Sequence, residues 1–168
     1  MKSLLKSELD ALLRVARSHS ESDYLMFKLA FYHGLRISEV LSLSAENIVG
    51  GCLMIQRLKG SKRTIQPLPA DDREAIEKLA ASGGPFFTIC RKTAWLHMKE
   101  YGREAGIPEY KCTPHKLKHT AGVLGLKGGM TLPEVQARLG HISGSSTMVY
   151  LQVDEDDASK AFAKAVGA

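Results

Sequence analysis

Three short segments of this chain set cations and hydrogen-bonding groups beside apolar runs. They are Gly34-Leu35-Arg36-Ile37-Ser38-Glu39-Val40, Pro114-His115-Lys116-Leu117-Lys118-His119-Thr120 and Leu139-Gly140-His141. Tyr150 stands nine residues beyond His141, at the end of Ser145-Ser146-Thr147-Met148-Val149-Tyr150. A polar stretch between the first two segments carries Arg57, Lys59, Lys62 and Arg63 with no acid among them. Such a set is poorly suited to hydrolysis by carboxylates or by a metal. It suits phosphodiester transfer, because cations offset charge on a pentavalent phosphoryl transition state and a Tyr oxygen can attack phosphorus.

Each piece alone has an ordinary reading. Arg36 and Glu39 at i, i+3 form a common helix-surface pair. A Lys in a basic turn is usually solvated, Leu139-Gly140-His141 can be a helix stop with an incidental His, and a lone Tyr150 is a core or surface residue. His115 and His119 at i, i+4 could share a metal, but His-Lys-Leu-Lys-His lacks the Glu of a metalloprotease and Lys118 repels a cation. Joint occurrence in order is what sets the chain apart. Over roughly Leu4 to Leu151 it resembles the catalytic domain of the tyrosine recombinases, the phage integrase family. In that family an Arg in a G-L-R-x-x-E segment is followed by a Lys in a hairpin turn, an H-x-x-R segment, an L-G-H segment and a Tyr. The matching residues are Arg36 with Glu39, Lys59, His115 with Lys118, His141 and Tyr150. One position departs: Lys118 stands where the family has its second Arg, so the charge is kept and the two-pronged fork is lost. Either the site tolerates a Lys clamp with some loss of rate, or the chain is a weakened or specialised relative.

The resemblance implies a mainly α fold with a small β-hairpin, the α+β catalytic domain of tyrosine recombinases. It implies a DNA recombinase or integrase working through a 3′-phosphotyrosyl intermediate, with no cofactor and no metal. Tyr150 would attack the phosphate, Arg36 and Lys118 would neutralise the non-bridging oxygens, and Lys59 would protonate the leaving 5′-oxygen. His115 would take the Tyr150 proton directly or through a water, and His141 would hydrogen-bond a phosphate oxygen. Glu39 would orient and neutralise local cations, and His119 would be a buried companion. The partners implied are double-stranded DNA and further copies of the chain, as a homo-tetramer on DNA, with no membrane and a cytoplasmic, DNA-associated setting. The helix Arg91 to Ala105, with Arg91, Lys92 and Thr93 at its start, would lie in a major groove. Two other functions remain open: a DNA-binding relative without catalysis, and a relaxing enzyme of type IB topoisomerase character.

The elements that must position these groups follow from periodicity. A helix is expected from about Ser7, another through Tyr24 to Tyr32 with Gly34 as its stop, and a short one at Arg36 to Leu41. Cys52 to Gln56 and Arg63 to Leu68 flank a polar turn and read as a hairpin. Helices are expected at Ala70 to Ala81, Arg91 to Ala105, from Pro114 to the break at Gly128-Gly129, and at Leu132 to Leu139. Trp95 and Phe86-Phe87 are expected in the core. The acid-led stretch Asp154 to Ala165 has Ala158, Ala161, Phe162 and Ala165 at helical spacing. By resemblance such a tail packs on a neighbouring protomer; otherwise it folds back on its own domain.

The 168 residues are read as one catalytic domain without the N-terminal DNA-clamping domain that family members usually carry, whether excised or naturally short. With 44% hydrophobic and 24% charged residues, the chain has the composition of a globular domain with a real core. No apolar run reaches the roughly 18 residues of a membrane span, and the opening residues lack a signal-peptide core. Cys52, Cys90 and Cys112 are widely spaced without a CxxC pair, which argues against a disulfide framework or a cysteine zinc site. No G-x-S-x-G or phosphate-binding G-x-x-x-x-G-K-[ST] motif occurs. A net charge of +5 and a pI near 9.1 permit nucleic-acid binding without establishing it. The basic turn and the segment Lys111 to Lys118 are expected to form two cationic patches for phosphates, with steep salt dependence.

Overall fold

Leu9, Leu12, Leu13 and Ala16 recur at helical spacing and are all buried, so α1 (Lys6–His19) turns one apolar stripe inward. The computed structural model describes residues 3–56 and 63–140. Ser7 does not cap α1. Leu5 does, and its amide is satisfied by Glu8 Oε2 at 2.7 Å, which starts the helix two residues earlier. α2 (Glu21–Tyr32) is capped by Ser20, whose hydroxyl accepts from the Asp23 amide. Tyr24, Leu25, Met26, Phe27, Leu29 and Ala30 bury almost its whole circumference, and it packs between α1 and α6 (Pro114–Lys127) as the central helix.

The expected hairpin is present as β2 (Cys52–Ile55) and β3 (Thr64–Pro67), antiparallel, with Leu53 opposite Gln66 and Ile55 opposite Thr64. A third strand, β1 (Ile48–Val49), joins the other edge of β2, giving the order β1-β2-β3. Two residues show no periodicity, so β1 could not be anticipated. It is made by the two-residue loop Gly50-Gly51, where φ of +57° and +74° supplies the backbone that tight hairpin loops favour.

The remaining helices are α3 (Ile37–Leu41), α4 (Arg73–Ala81), α5 (Arg91–Glu104) and α7 (Leu132–Leu139). The helix expected from Ala70 opens as a 3-10 turn, Ala70–Asp72, before α4. α6 starts with Pro114 at its first position, and α7 is closed by Gly140 at φ +69°. Phe86 and Phe87 are buried as expected. Trp95 is not: it is 42% exposed, because α5 buries Ala94, Met98, Tyr101 and Gly102 and the next position along points outward. The main core spans α1, α2 and α5 with Leu117, while Val135 and Leu139 of α7 form a smaller apolar cluster with Ala121, Val123 and Leu126 of α6. Among the described residues no helix is long and apolar enough to cross a membrane. The basic turn at 57–62 and the tail helix expected over Asp154 to Ala165 lie outside the described residues.

Candidate functional site

α2 ends in a way that delivers Arg36. The Gly34 amide donates to Phe31 O at 3.1 Å and the Leu35 amide to Ala30 O at 2.9 Å, with Gly34 at φ +60°. This paired closure is a Schellman motif, which only a residue tolerant of positive φ completes without strain. Leu35 is buried, and Arg36 becomes the N-cap of α3. Glu39, buried in the first turn of α3, accepts the Arg36 amide on Oε2 at 2.7 Å and holds the guanidinium through Oε1 at 3.1 Å. The Arg36 side chain stays 41% exposed, so one edge is tethered and the other faces outward.

The first turn of α6 supplies the second group. His115 keeps much of its surface open to solvent. The protein packed beneath it, followed by the cations Lys118, Arg36 and Lys116, pushes its pKa below the ordinary histidine value. The imidazole is therefore held neutral, with a free-base nitrogen, over a wider pH range. Lys118, one turn on, is only 2% exposed, and its ammonium donates to Leu139 O at 3.0 Å at the end of α7. A cation there meets both an orphan carbonyl and the negative end of the helix. His119 is buried beside it.

The segment Lys111 to Lys118 is not the open cationic patch expected. Lys111 is buried with Nζ 2.8 Å from both Glu8 oxygens, and Lys116 is buried with its pKa lowered by that burial and by Lys111. Lys111 ends a 3-10 turn and Lys116 stands on α6, and tertiary packing turned both stems into the interior.

Sequence reasoning passed over Gln66 and His33. Gln66 is 5% exposed; its Nε2 donates to Arg138 O at 2.8 Å and its Oε1 lies 3.2 Å from His33 Nδ1. In β3 Ile65 faces solvent at 66% exposure while Gln66 faces the core, an arrangement the residue types alone do not announce. That inverts the usual alternation and marks a polar side chain whose inward position matters. Its neighbour Gly34 meets α7 closely: a Cβ there would fall 2.2 Å from Leu139 Cδ2.

Of the six predicted site residues, Arg36, His115 and Lys118 are brought together. Lys59, His141 and Tyr150 lie outside the described residues. Among the described residues no group of three or more His, Cys, Asp or Glu side chains is gathered to hold a metal. A groove of about 680 Å³ runs along α5, lined by Leu96, Lys99, Arg103, Ile107 and Cys112, and none of the predicted site residues borders it.

The phage integrase family profile matches residues 2–157. Tyrosine recombinase XerA of Pyrococcus furiosus (strain ATCC 43587 / DSM 3638 / JCM 8422 / Vc1) is 34% identical over 179 residues, covering 98% of this chain and 62% of that protein. The chain thus spans about three fifths of the length of the curated relatives it matches. A crystal structure of XerA recombinase superposes with a TM-score of 0.82 at 21% identity, over 98% of this chain and 65% of the other. A Tn1549 transposon integrase in complex with transposon right end DNA superposes with a TM-score of 0.79 at 15% identity, over 99% of this chain and 66% of that one.

Proposed function

Since the chain belongs to the phage integrase family, we propose that it is the catalytic domain of a site-specific recombinase that cleaves and rejoins double-stranded DNA. The observation carrying this is the convergence of Arg36, from the end of α2, and Lys118, from α6, on one imidazole, His115, whose pKa they help to lower. Two cations around a neutral base are what attack on a phosphodiester requires. In the proposed step the Tyr150 oxygen bonds to phosphorus as the bond to the 5′-oxygen breaks. His115 receives the Tyr150 proton, directly or through a water, and Lys59 returns a proton to the leaving oxygen. Arg36 and Lys118 offset the non-bridging charge, and His141 adds a hydrogen bond. The phosphotyrosyl link conserves the phosphodiester, so rejoining runs the same step backwards without an energy source. Duplex DNA is supported as substrate by the DNA in the solved transposon integrase complex. Residues 1–168 would act as one domain, assembling as a tetramer on DNA through a tail that docks on the next protomer. Deleting residues 154–168 would then abolish DNA-bound assembly while the monomer still folds.

A second reading, DNA binding without catalysis, is favoured by one observation. Lys118 directs its ammonium at the Leu139 carbonyl, whereas an Arg has five donors and could serve a carbonyl and a phosphate together. Nicked duplexes whose cleaved fragment diffuses away distinguish the two. The recombinase reading expects a covalent protein–DNA band that disappears in Tyr150→Phe and strengthens in Lys118→Arg. DNA binding with no band in any of the three proteins would favour the second reading.

A further inference from the structure

We infer that Gln66 is a positioning residue for this site, clamping the strap that presents Arg36 to the end of α7; the inference rests on the recombinase reading. Its amide bridges three separate elements at this end of the fold. Nε2 donates to Arg138 O on α7, Oε1 faces His33 Nδ1 at the C-cap of α2, and the residue itself sits on β3 directly after the basic turn in sequence. The orientation is fixed by chemistry. A carbonyl can only accept, so the amide nitrogen must point at Arg138 O and the amide oxygen at His33, which then must carry its proton on Nδ1.

The two ends of this bridge are the two backbones that matter. His33 is followed at once by Gly34, Leu35 and Arg36, and Gly34 packs on Leu139 too closely to admit a Cβ. Arg138 O and Leu139 O are consecutive orphan carbonyls of α7, one taken by Gln66 and the other by Lys118. A second bond runs the opposite way, from the Arg138 guanidinium to Tyr32 O at 2.6 Å. Gln66 and Lys118 therefore share one helix end, and the position of the Lys118 ammonium relative to Arg36 depends on the Gln66 amide. Exposing Ile65 to turn Gln66 inward is the cost the strand accepts for this link.

The test uses the full chain on the nicked duplexes described above, with Gln66→Met, which keeps the volume and removes these bonds together with a longer one from Nε2 to Thr64 Oγ1 at 3.4 Å, and Gln66→Glu, which keeps the acceptor but sets a carboxylate against Arg138 O. Phosphotyrosyl formation at saturating DNA should fall about 10- to 100-fold in both variants, the scale of a misplaced catalytic group. DNA affinity should stay within about threefold, so the loss is in the chemical step rather than in binding. Nitrogen-resolved NMR of the unaltered protein should show His33 protonated on Nδ1, and that signature should disappear in Gln66→Met. Unchanged rates at saturation with only a lowered Tm would overturn the positioning role, as would a His33 protonated on Nε2 alone in the unaltered chain. Absence of any covalent band in the unaltered chain would instead overturn the recombinase reading, and the positioning role would fall with it.

Discussion

Two buried polar clusters in this protein are built on opposite principles. In the first, acids sit at the centre. Asp72 accepts from Tyr24 Oη at 2.8 Å and Arg17 Nη2 at 3.1 Å, with Lys28 Nζ 3.8 Å from its other oxygen. Asp23 accepts from Tyr101 Oη at 2.6 Å, with His97 Nδ1 2.8 Å away. Side chains from α1, α2 and α5 meet the two acids, with Arg17 and Lys28 beside Asp72 and the Tyr101 hydroxyl on Asp23, so the cluster fastens the scaffold. At the second cluster, donors sit at the centre and backbone carbonyls receive them: Gln66 and Lys118 on the end of α7, Arg138 on Tyr32 O. Those carbonyls carry no formal charge to offset Lys118, and His115, its pKa lowered first by burial and then by Lys118, Arg36 and Lys116, registers that charge. The half-exposed Arg36 is by contrast tethered to a carboxylate, Glu39, while the buried Lys118 meets the dipole at the end of α7.

This contrast can be broken or sharpened by substitution. The largest effect is expected at Arg36→Ala. The rate of covalent complex formation should drop about 10²–10³-fold, roughly 3–4 kcal/mol of barrier, as for loss of one donor to a developing oxyanion. Its Tm should fall only modestly, because Glu39, which loses the guanidinium, keeps the Arg36 backbone amide as a donor. NMR titration should also show the His115 midpoint, below the ordinary histidine value in the unaltered chain, moving upward once that cation is gone. A fixed midpoint would separate the two groups.

Asp72→Ala should show the reverse pattern: a stability loss of about 2–3 kcal/mol by denaturant unfolding with the rate per folded molecule retained. The scaffold cluster also has a pH signature. Burial and the bond to Asp72 push Tyr24 up to about 12 from 10.0. A phenol that holds its proton longer when folded stabilises the fold fully below pH 10 and loses that contribution as pH rises toward 12. Tyr24→Phe should flatten this alkaline decline, and unfolding curves across that range would detect it.

Gly34→Ala is expected to cost about 1–3 kcal/mol, from positive φ and from contact with Leu139. It should lower stability and rate together, since the strap carries Arg36. Trp95→Ala should be the smallest, within about 0.5 kcal/mol, because the ring lies on the outer face of α5 with Lys99 Nζ over it. A larger loss would mean that this face of α5 is covered in the folded chain.

Much of this was legible beforehand because it is local. Helix ends at Gly34, Gly106 and Gly140, the start at Pro114, and the hairpin around the basic turn each follow from residues within a few positions of one another. Arg36 with Glu39 and His115 with Lys118 were legible too, as short motifs in order. What was not legible depends on partners far along the chain. Lys118 reads as a phosphate clamp until α7 sets Leu139 O against it, and Gln66 passes unremarked in its strand until Arg138 O arrives from 72 positions away.

Residue types, their order and their local spacing thus determined the family, the helices and the chemistry on offer, since propensity, capping and motif are properties of neighbouring residues. Which face of β3 is buried, which lysines turn inward, and that Trp95 points out were decided only when the helices packed. Burial depends on what covers a side chain, and the covering surfaces here come from elements tens of residues apart.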